Sequence, residues 1–72
     1  MSENIVLVSI TDNENESFET YVVHKDKLDI FINTVKNNPK IYGRYITASL
    51  NEMIDYPDGS IRKGKYIRNI NI

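Results

Sequence analysis

The chain contains no cysteine and a single histidine among its 72 residues. Without cysteine it can form neither a disulfide framework nor a thiolate metal site, which favours a reducing compartment. His24 is the only residue of the type that most often acts as an acid–base catalyst at neutral pH. Catalysis would need a carboxylate to orient it and an activated nucleophile beside it, and no serine stands in the Gly-x-Ser-x-Gly elbow that exposes such a nucleophile. We therefore expect no enzymatic activity and interpret His24 as a surface residue that ends an edge strand.

A long apolar run is also missing. The N-terminal segment has Glu3 where a signal peptide would be basic, and its apolar residues are confined to Ile5–Val8 and Ile10. This is far too short for a signal peptide or a membrane-spanning helix, so we predict a soluble, cytoplasmic protein. Residues 1–72 allow one domain, and a chain of this size buries only about 60% of the surface that it exposes when unfolded.

Complete metal or phosphate motifs are absent as well. The acidic residues of the first loop have the alternating spacing that opens a calcium loop, but serine replaces the required glycine and valine the closing glutamate. The residues concerned are Asp12, Glu14, Glu16, Ser17 and Val23. Gly59 and Gly64 with the neighbouring lysines lack the spacing of a phosphate-binding loop. We expect no metal and no cofactor.

One amphipathic helix is clearly predicted, over Asp26–Asn37. Its apolar residues recur with helical spacing and form one stripe. They are Leu28, Phe31, Ile32 and Val35. We expect Asp26 to be the N-cap and Asn37-Asn38-Pro39 to end the helix. Because three turns are marginal alone, the stripe must pack on another element.

The flanking segments favour strands. Asn4–Thr11 is mostly β-branched and apolar on both faces, as in a central strand, and Phe18–Lys25 alternates. Tyr56-Pro57-Asp58-Gly59 predicts a turn, followed by a strand over Ser60–Ile72 with a bulge at Gly64. Residues 45–56 fit either a strand, which we prefer because of the turn, or a second helix.

The predicted fold is α+β: an antiparallel sheet of about four strands in the order ββαββ, with one helix on one face. The helix should cover one side of the first strand, either Val6, Val8 and Ile10 or Ile5 and Leu7. We expect the other side to keep uncovered apolar residues, which indicates an interface with a partner or a homodimer.

Charge is segregated along the chain. Residues 1–24 contain aspartate and glutamate but no lysine or arginine. Residues 60–72 contain lysine and arginine but no aspartate or glutamate. The asymmetry fits either a surface for nucleic acid or an acidic partner, or two neighbouring strands whose charges pair across the sheet.

The best candidate binding residues are basic and aromatic, and most lie in the last strand. They are Arg44, Tyr45, Arg62, Lys63, Tyr66 and Arg68. On a regular strand, Arg62, Gly64, Tyr66 and Arg68 would share one face. Tyrosine and arginine are favoured anchors of protein interfaces, and the same set suits single-stranded nucleic acid.

We therefore predict a small non-enzymatic protein-interaction module that binds a larger protein, with nucleic-acid binding as the alternative. The chain is short, has no cysteine, and is rich in isoleucine, asparagine, lysine and tyrosine, which have AT-rich codons. In size and composition it resembles the accessory proteins by which phages inhibit or redirect host proteins.

Overall fold

A computed structural model describes residues 4–70. It contains four strands and two helices: β1 (Ile5–Asp12), β2 (Ser17–His24), a 3₁₀ turn (Lys25–Lys27), α1 (Leu28–Lys36), α2 (Pro39–Tyr42), β3 (Ile46–Asp55) and β4 (Ile61–Ile70). All strand pairs are antiparallel, in the order β2-β1-β3-β4. The predicted four-stranded α+β fold is confirmed, with α2 as an addition. The predicted strand end at Ile72 lies outside the described residues.

The central strand β1 supplies the core. Val6, Val8 and Ile10 are at most 4% exposed and belong to the same buried cluster as Val35 of α1. This decides between the two predicted sides of β1: α1 covers the one that contains Val6. We call this side of the sheet the helix face and the other side the open face.

The long helix begins differently from the prediction. Asp26 lies inside the 3₁₀ turn, and the N-cap of α1 is Lys27, which makes no side-chain capping bond. The prediction that Asp26 caps the helix is therefore wrong. The chain leaves β2 directly into the tighter turn, so Asp26 no longer occupies the extended position that precedes an α-helix. The helix ends at Lys36, close to the predicted stop.

Proline both ends one helix and begins the next. Pro39 is in the first turn of α2, where its missing N–H costs no hydrogen bond and its fixed φ suits a helix.

Three aromatic rings meet on the helix face, with centroids 5.3 to 6.4 Å apart: Tyr21, Phe31 and Tyr42. This aromatic cluster joins β2, α1 and α2. Burial raises the pKa of Tyr21, and the neighbouring groups Tyr42 and Glu19 raise it further through their charges.

Residues 46–55 form a strand, so the helical alternative for residues 45–56 is wrong. The predicted turn follows it. The Gly59 amide donates to the Tyr56 carbonyl at 3.0 Å, and Gly59 has φ of 88°. Asp58 accepts hydrogen bonds from the Ser60 hydroxyl at 2.6 Å and the Ser60 amide at 2.9 Å, and these bonds, that of the hydroxyl foremost, lower the pKa of Asp58.

The strand order also corrects one interpretation of the charge asymmetry. β3 lies between β1 and β4, and β2 and β4 occupy opposite edges. The acidic N-terminal strands and the basic last strand are therefore not neighbours, and the expected pairing of their charges across the sheet is wrong. Within residues 4–70, no helix is long and apolar enough to cross a membrane.

Candidate functional site

The open face is built from rows of paired residues that cross the sheet. Directly opposed residues in antiparallel strands point to the same face. One row runs across all four strands through Val22, Leu7, Asn51 and Tyr66. The next two rows contain mostly small hydroxyl and amide side chains: Thr20, Ser9, Ser49 and Asn69, then Phe18, Thr11 and Thr47.

Two bulges bend β4. Its pairing with β3 shifts between Leu50 and Asn51 and again between Asn51 and Met53, and each shift leaves one extra residue in β4. Gly64 lies in the second shift, where a Cβ atom would come within 2.9 Å of the Ile54 side chain. The predicted bulge at Gly64 is thereby confirmed.

The open face is concave. The Lys63 ammonium lies 5.0 Å from the centre of the Phe18 ring, although these residues belong to opposite edge strands. Phe18 lies in the same row as Thr47 of β3, whereas Lys63 pairs with Met53 of β3. In a flat sheet these two positions of β3 would be about 20 Å apart along the strand. The contact therefore requires strong coiling of the sheet, which bulges promote.

The centre of the concave face is covered by the chain itself. Leu7 is 3% exposed, so the expectation that it would remain uncovered is wrong. Asn51, also buried, donates from its side-chain amide to the Gly64 carbonyl at 3.0 Å, which fixes the bent part of β4 over the sheet. The prediction considered only the helix as a cover for β1, whereas the bent strand β4 lies over part of the open face.

Exposed apolar residues remain at the two edges of the open face. Phe18, Val22 and Tyr66 are 56%, 55% and 54% exposed. With Lys63 they form what we call the open-face rim. Phe18 and Val22 were missed as candidate residues, although the alternation of β2 places them on one face. Their exposure follows from the edge position of β2, which its sequence does not encode.

The predicted binding residues do not form one patch. Tyr66 pairs with Asn51, whereas Arg68 pairs with the adjacent Leu50 and therefore points to the opposite face. Arg62 pairs with Ile54, also on the helix side. The expectation that Arg62, Gly64, Tyr66 and Arg68 share a face is wrong, because the bulges break the alternation.

Two of the separated arginines have partners of their own. The Arg62 guanidinium lies 5.5 Å from the centre of the Tyr56 ring, a cation–π contact. Arg68 donates from Nη1 to the Asn69 carbonyl at 3.3 Å. Lys63 and Tyr66 are thus the members of the predicted set that lie on the open face.

Arg44 and Tyr45 lie in the connection from α2 to β3. The Tyr45 carbonyl accepts a hydrogen bond from the Asn13 amide at 2.8 Å, and the Tyr45 side chain is exposed. Arg44 borders a surface cavity of about 390 Å³ together with Asp12 and Lys40. The two residues extend the surface next to the β1–β2 loop and are not part of the open-face rim.

Asp12, the first residue of the incomplete calcium-loop spacing, has a structural role. Its carboxylate accepts hydrogen bonds from the Asn15 side chain at 2.9 Å and from the amides of Glu14 and Asn15 at 3.0 and 3.2 Å. These bonds, that of the Asn15 side chain foremost, lower the pKa of Asp12. Between residues 4 and 70, no group of three acidic, histidine or cysteine side chains could hold a metal ion.

The central rows of the open face contain no charged side chain. Glu19 pairs with Ile10, and Glu52 with Val6, so both carboxylates lie on the helix face. The three open-face rows from Phe18 to Tyr66 contain no carboxylate, and Lys63 adds a positive charge beside them. The open face can therefore present aromatic, hydroxyl and cationic groups together.

No known family model matches the chain, and neither a curated protein sequence nor a solved structure shows significant similarity to it.

Proposed function

We propose that the protein is a small non-enzymatic interaction module that binds a larger protein through the open face. The observation that supports this most is the open-face rim: three apolar or aromatic side chains, each more than half exposed, border a concave surface next to Lys63. Aromatic side chains at the edge of a packed concave surface supply much contact area at low entropic cost.

The chemistry of the rim indicates the kind of partner. A segment that fits it would pack apolar side chains against the exposed rings of Phe18 and Tyr66 at the edges and would place an acidic group near Lys63. The hydroxyls of Thr20 and Thr47, which are exposed on the same face, can bond to the backbone of such a segment. In keeping with the sequence-based prediction, the partner would be a host protein that is inhibited or redirected in the cytoplasm.

Alanine substitutions at the rim test this function. We expect Phe18→Ala and Tyr66→Ala each to weaken binding by more than about 1 kcal/mol, as interface anchors do. Ile30→Ala is the matched control, since Ile30 is 60% exposed but lies on α1. Proteins retained by the tagged wild-type chain and lost with both rim variants would be purified and titrated directly by calorimetry.

The result that contradicts this proposal is clear. If a partner is bound by Tyr66→Ala and Phe18→Ala within about 0.5 kcal/mol of wild type, the open face is not its binding surface. Arg44, Tyr45, Arg62 and Arg68 then become the contacts to test, because they lie outside the open face and stay predictions.

Nucleic-acid binding is a second candidate, favoured by the aromatic and cationic side chains of the open-face rim. Phe18 and Tyr66 can stack on bases, Lys63 can contact a phosphate, and the rows between them contain no carboxylate. Binding of this kind weakens steeply as salt rises, because each neutralised phosphate releases counterions. A titration of single-stranded oligonucleotides at two salt concentrations distinguishes the two functions: absence of binding at low salt eliminates this one.

A further inference from the structure

The free edge of β2 carries unpaired backbone groups. The Lys25 amide donates to the Asn4 carbonyl at 2.8 Å, which shows that odd-numbered residues of this segment turn their backbone groups toward β1. Because these groups alternate along a strand, those of Phe18, Thr20, Val22 and His24 point away from β1. Among the described residues no strand lies beyond β2.

The two sheet edges differ in how they are protected. β4 has two bulges, a glycine and four basic residues, which are the features that prevent edge-to-edge pairing. β2 pairs with β1 over eight residues without a register shift and contains no proline, glycine, lysine or arginine. An edge strand this regular is a template for a further strand.

The sequence of β2 is complementary to itself. When two copies pair antiparallel with Thr20 facing Thr20, the two helix faces stay on the same side. Phe18 of each copy then faces Val22 of the other, and Glu19 faces Tyr21. The two-fold axis makes this Phe18–Val22 contact twice, so the two most exposed apolar residues of β2 are covered in both copies.

We propose that a second copy of this chain binds along β2, centred on Thr20, to form a continuous eight-stranded sheet in which the two open faces lie side by side. This dimer shares Phe18 and Val22 with the surface proposed above for a partner, but it needs no other protein and does not depend on that function. The purified chain alone therefore tests it.

Cysteine cross-linking gives the sharpest test, because the natural chain contains none. In the proposed register, Thr20→Cys brings two sulfhydryl groups together across the two-fold axis, at a Cα separation that a disulfide can span. Thr47→Cys is the matched control: Thr47 is an exposed residue of the same face but belongs to β3, an inner strand. We expect a covalent dimer to form at least tenfold faster with Thr20→Cys.

Sedimentation equilibrium supplies the second measurement. We expect the wild-type mass to rise with concentration from 8.4 kDa to twice this value. Thr20→Pro should remain monomeric, because proline removes an N–H that the second copy would bind. Its circular dichroism spectrum should be unchanged, because this N–H points away from β1 and makes no hydrogen bond to β1. Phe18→Lys and Val22→Lys provide further dimer-disrupting variants that leave the backbone intact.

Three outcomes would overturn the proposal. One is a wild-type chain that stays monomeric up to about 1 mM, which would leave a strand of another protein as the occupant of this edge. The others are equal cross-linking of Thr20→Cys and Thr47→Cys, and dimers that persist in Phe18→Lys and Val22→Lys.

Discussion

Gly43→Ala should destabilise the protein more than an ordinary glycine substitution. Gly43 follows α2 with φ of 108° and ψ of 160°, a conformation accessible almost only to glycine. A Cβ atom there would lie 2.6 Å from Cγ and Oδ2 of Asp12 and 3.0 Å from Oδ1. The carboxylate that closes the β1–β2 loop would have to move.

The magnitude follows from two contributions. Backbone strain at this φ and ψ costs about 1–3 kcal/mol, and forcing an extra methyl group into occupied space typically adds about 1–3 kcal/mol. We expect a loss of at least about 2 kcal/mol in the free energy of unfolding. For a domain of this size, that corresponds to a fall in Tm of at least about 8 °C.

Urea unfolding followed by circular dichroism measures the effect, and Gly59→Ala separates the two contributions. Gly59 also has positive φ, 88°, but no atom lies within 4 Å of its Cβ position. It should therefore report backbone strain alone. In a double-mutant cycle with Asp12→Ala, the cost of Gly43→Ala should fall by its overpacking contribution, because the clashing carboxylate is gone.

The reasoning fails if Gly43→Ala and Gly59→Ala cost the same, or if the cycle between positions 12 and 43 is additive. Either result would show that the carboxylate of Asp12 does not occupy the space beside Gly43 in solution.

Three further predictions concern the core and the loop. Val35→Ala should lower the free energy of unfolding by about 2–3 kcal/mol, because this side chain is 1% exposed. Ile30→Ala, measured alongside by urea unfolding, should lower it by less than about 0.5 kcal/mol, because Ile30 is 60% exposed. Asn51→Ala should cost about 1–3 kcal/mol by leaving the Gly64 carbonyl without its donor; no loss would mean that β4 is not held there. Because the pKa of Asp12 is lowered in the folded protein, its ionised carboxylate stabilises the fold at pH values above the ordinary pKa of an aspartate. This stabilisation is lost as the pH falls and the carboxylate becomes protonated. The Tm difference between wild type and Asp12→Asn should therefore shrink between about pH 5 and pH 2, and a constant difference would contradict it.

The sequence predicts those elements whose signals are local. The apolar stripe from Leu28 to Val35 specifies the helix, and the Pro57-Asp58-Gly59 turn specifies the last hairpin. Residues 45–56 satisfied both periodicities, so their strand conformation was decided by tertiary structure: β1, apolar on both faces, needs a strand on each side.

The candidate site was less predictable because it depends on register. Gly64 indicates one bulge of β4, but no residue marks the other, which lies between Arg68 and Tyr66. One unmarked extra residue is enough to reverse the faces of all side chains beyond it. The predicted patch was therefore divided, and the coiling that brings Lys63 to Phe18 has no counterpart in the pattern of single residues.

The placement of β1 at the centre of the sheet has a consequence for how the protein folds. Each hairpin, β1–β2 and β3–β4, closes a short loop, but β1 meets β3 only after about thirty intervening residues have been ordered. Joining the two hairpins should be the slow step, as for other topologies dominated by distant pairings. The amide protons shared by β1 and β3 would then exchange with solvent most slowly, while those near the Pro57 turn exchange early.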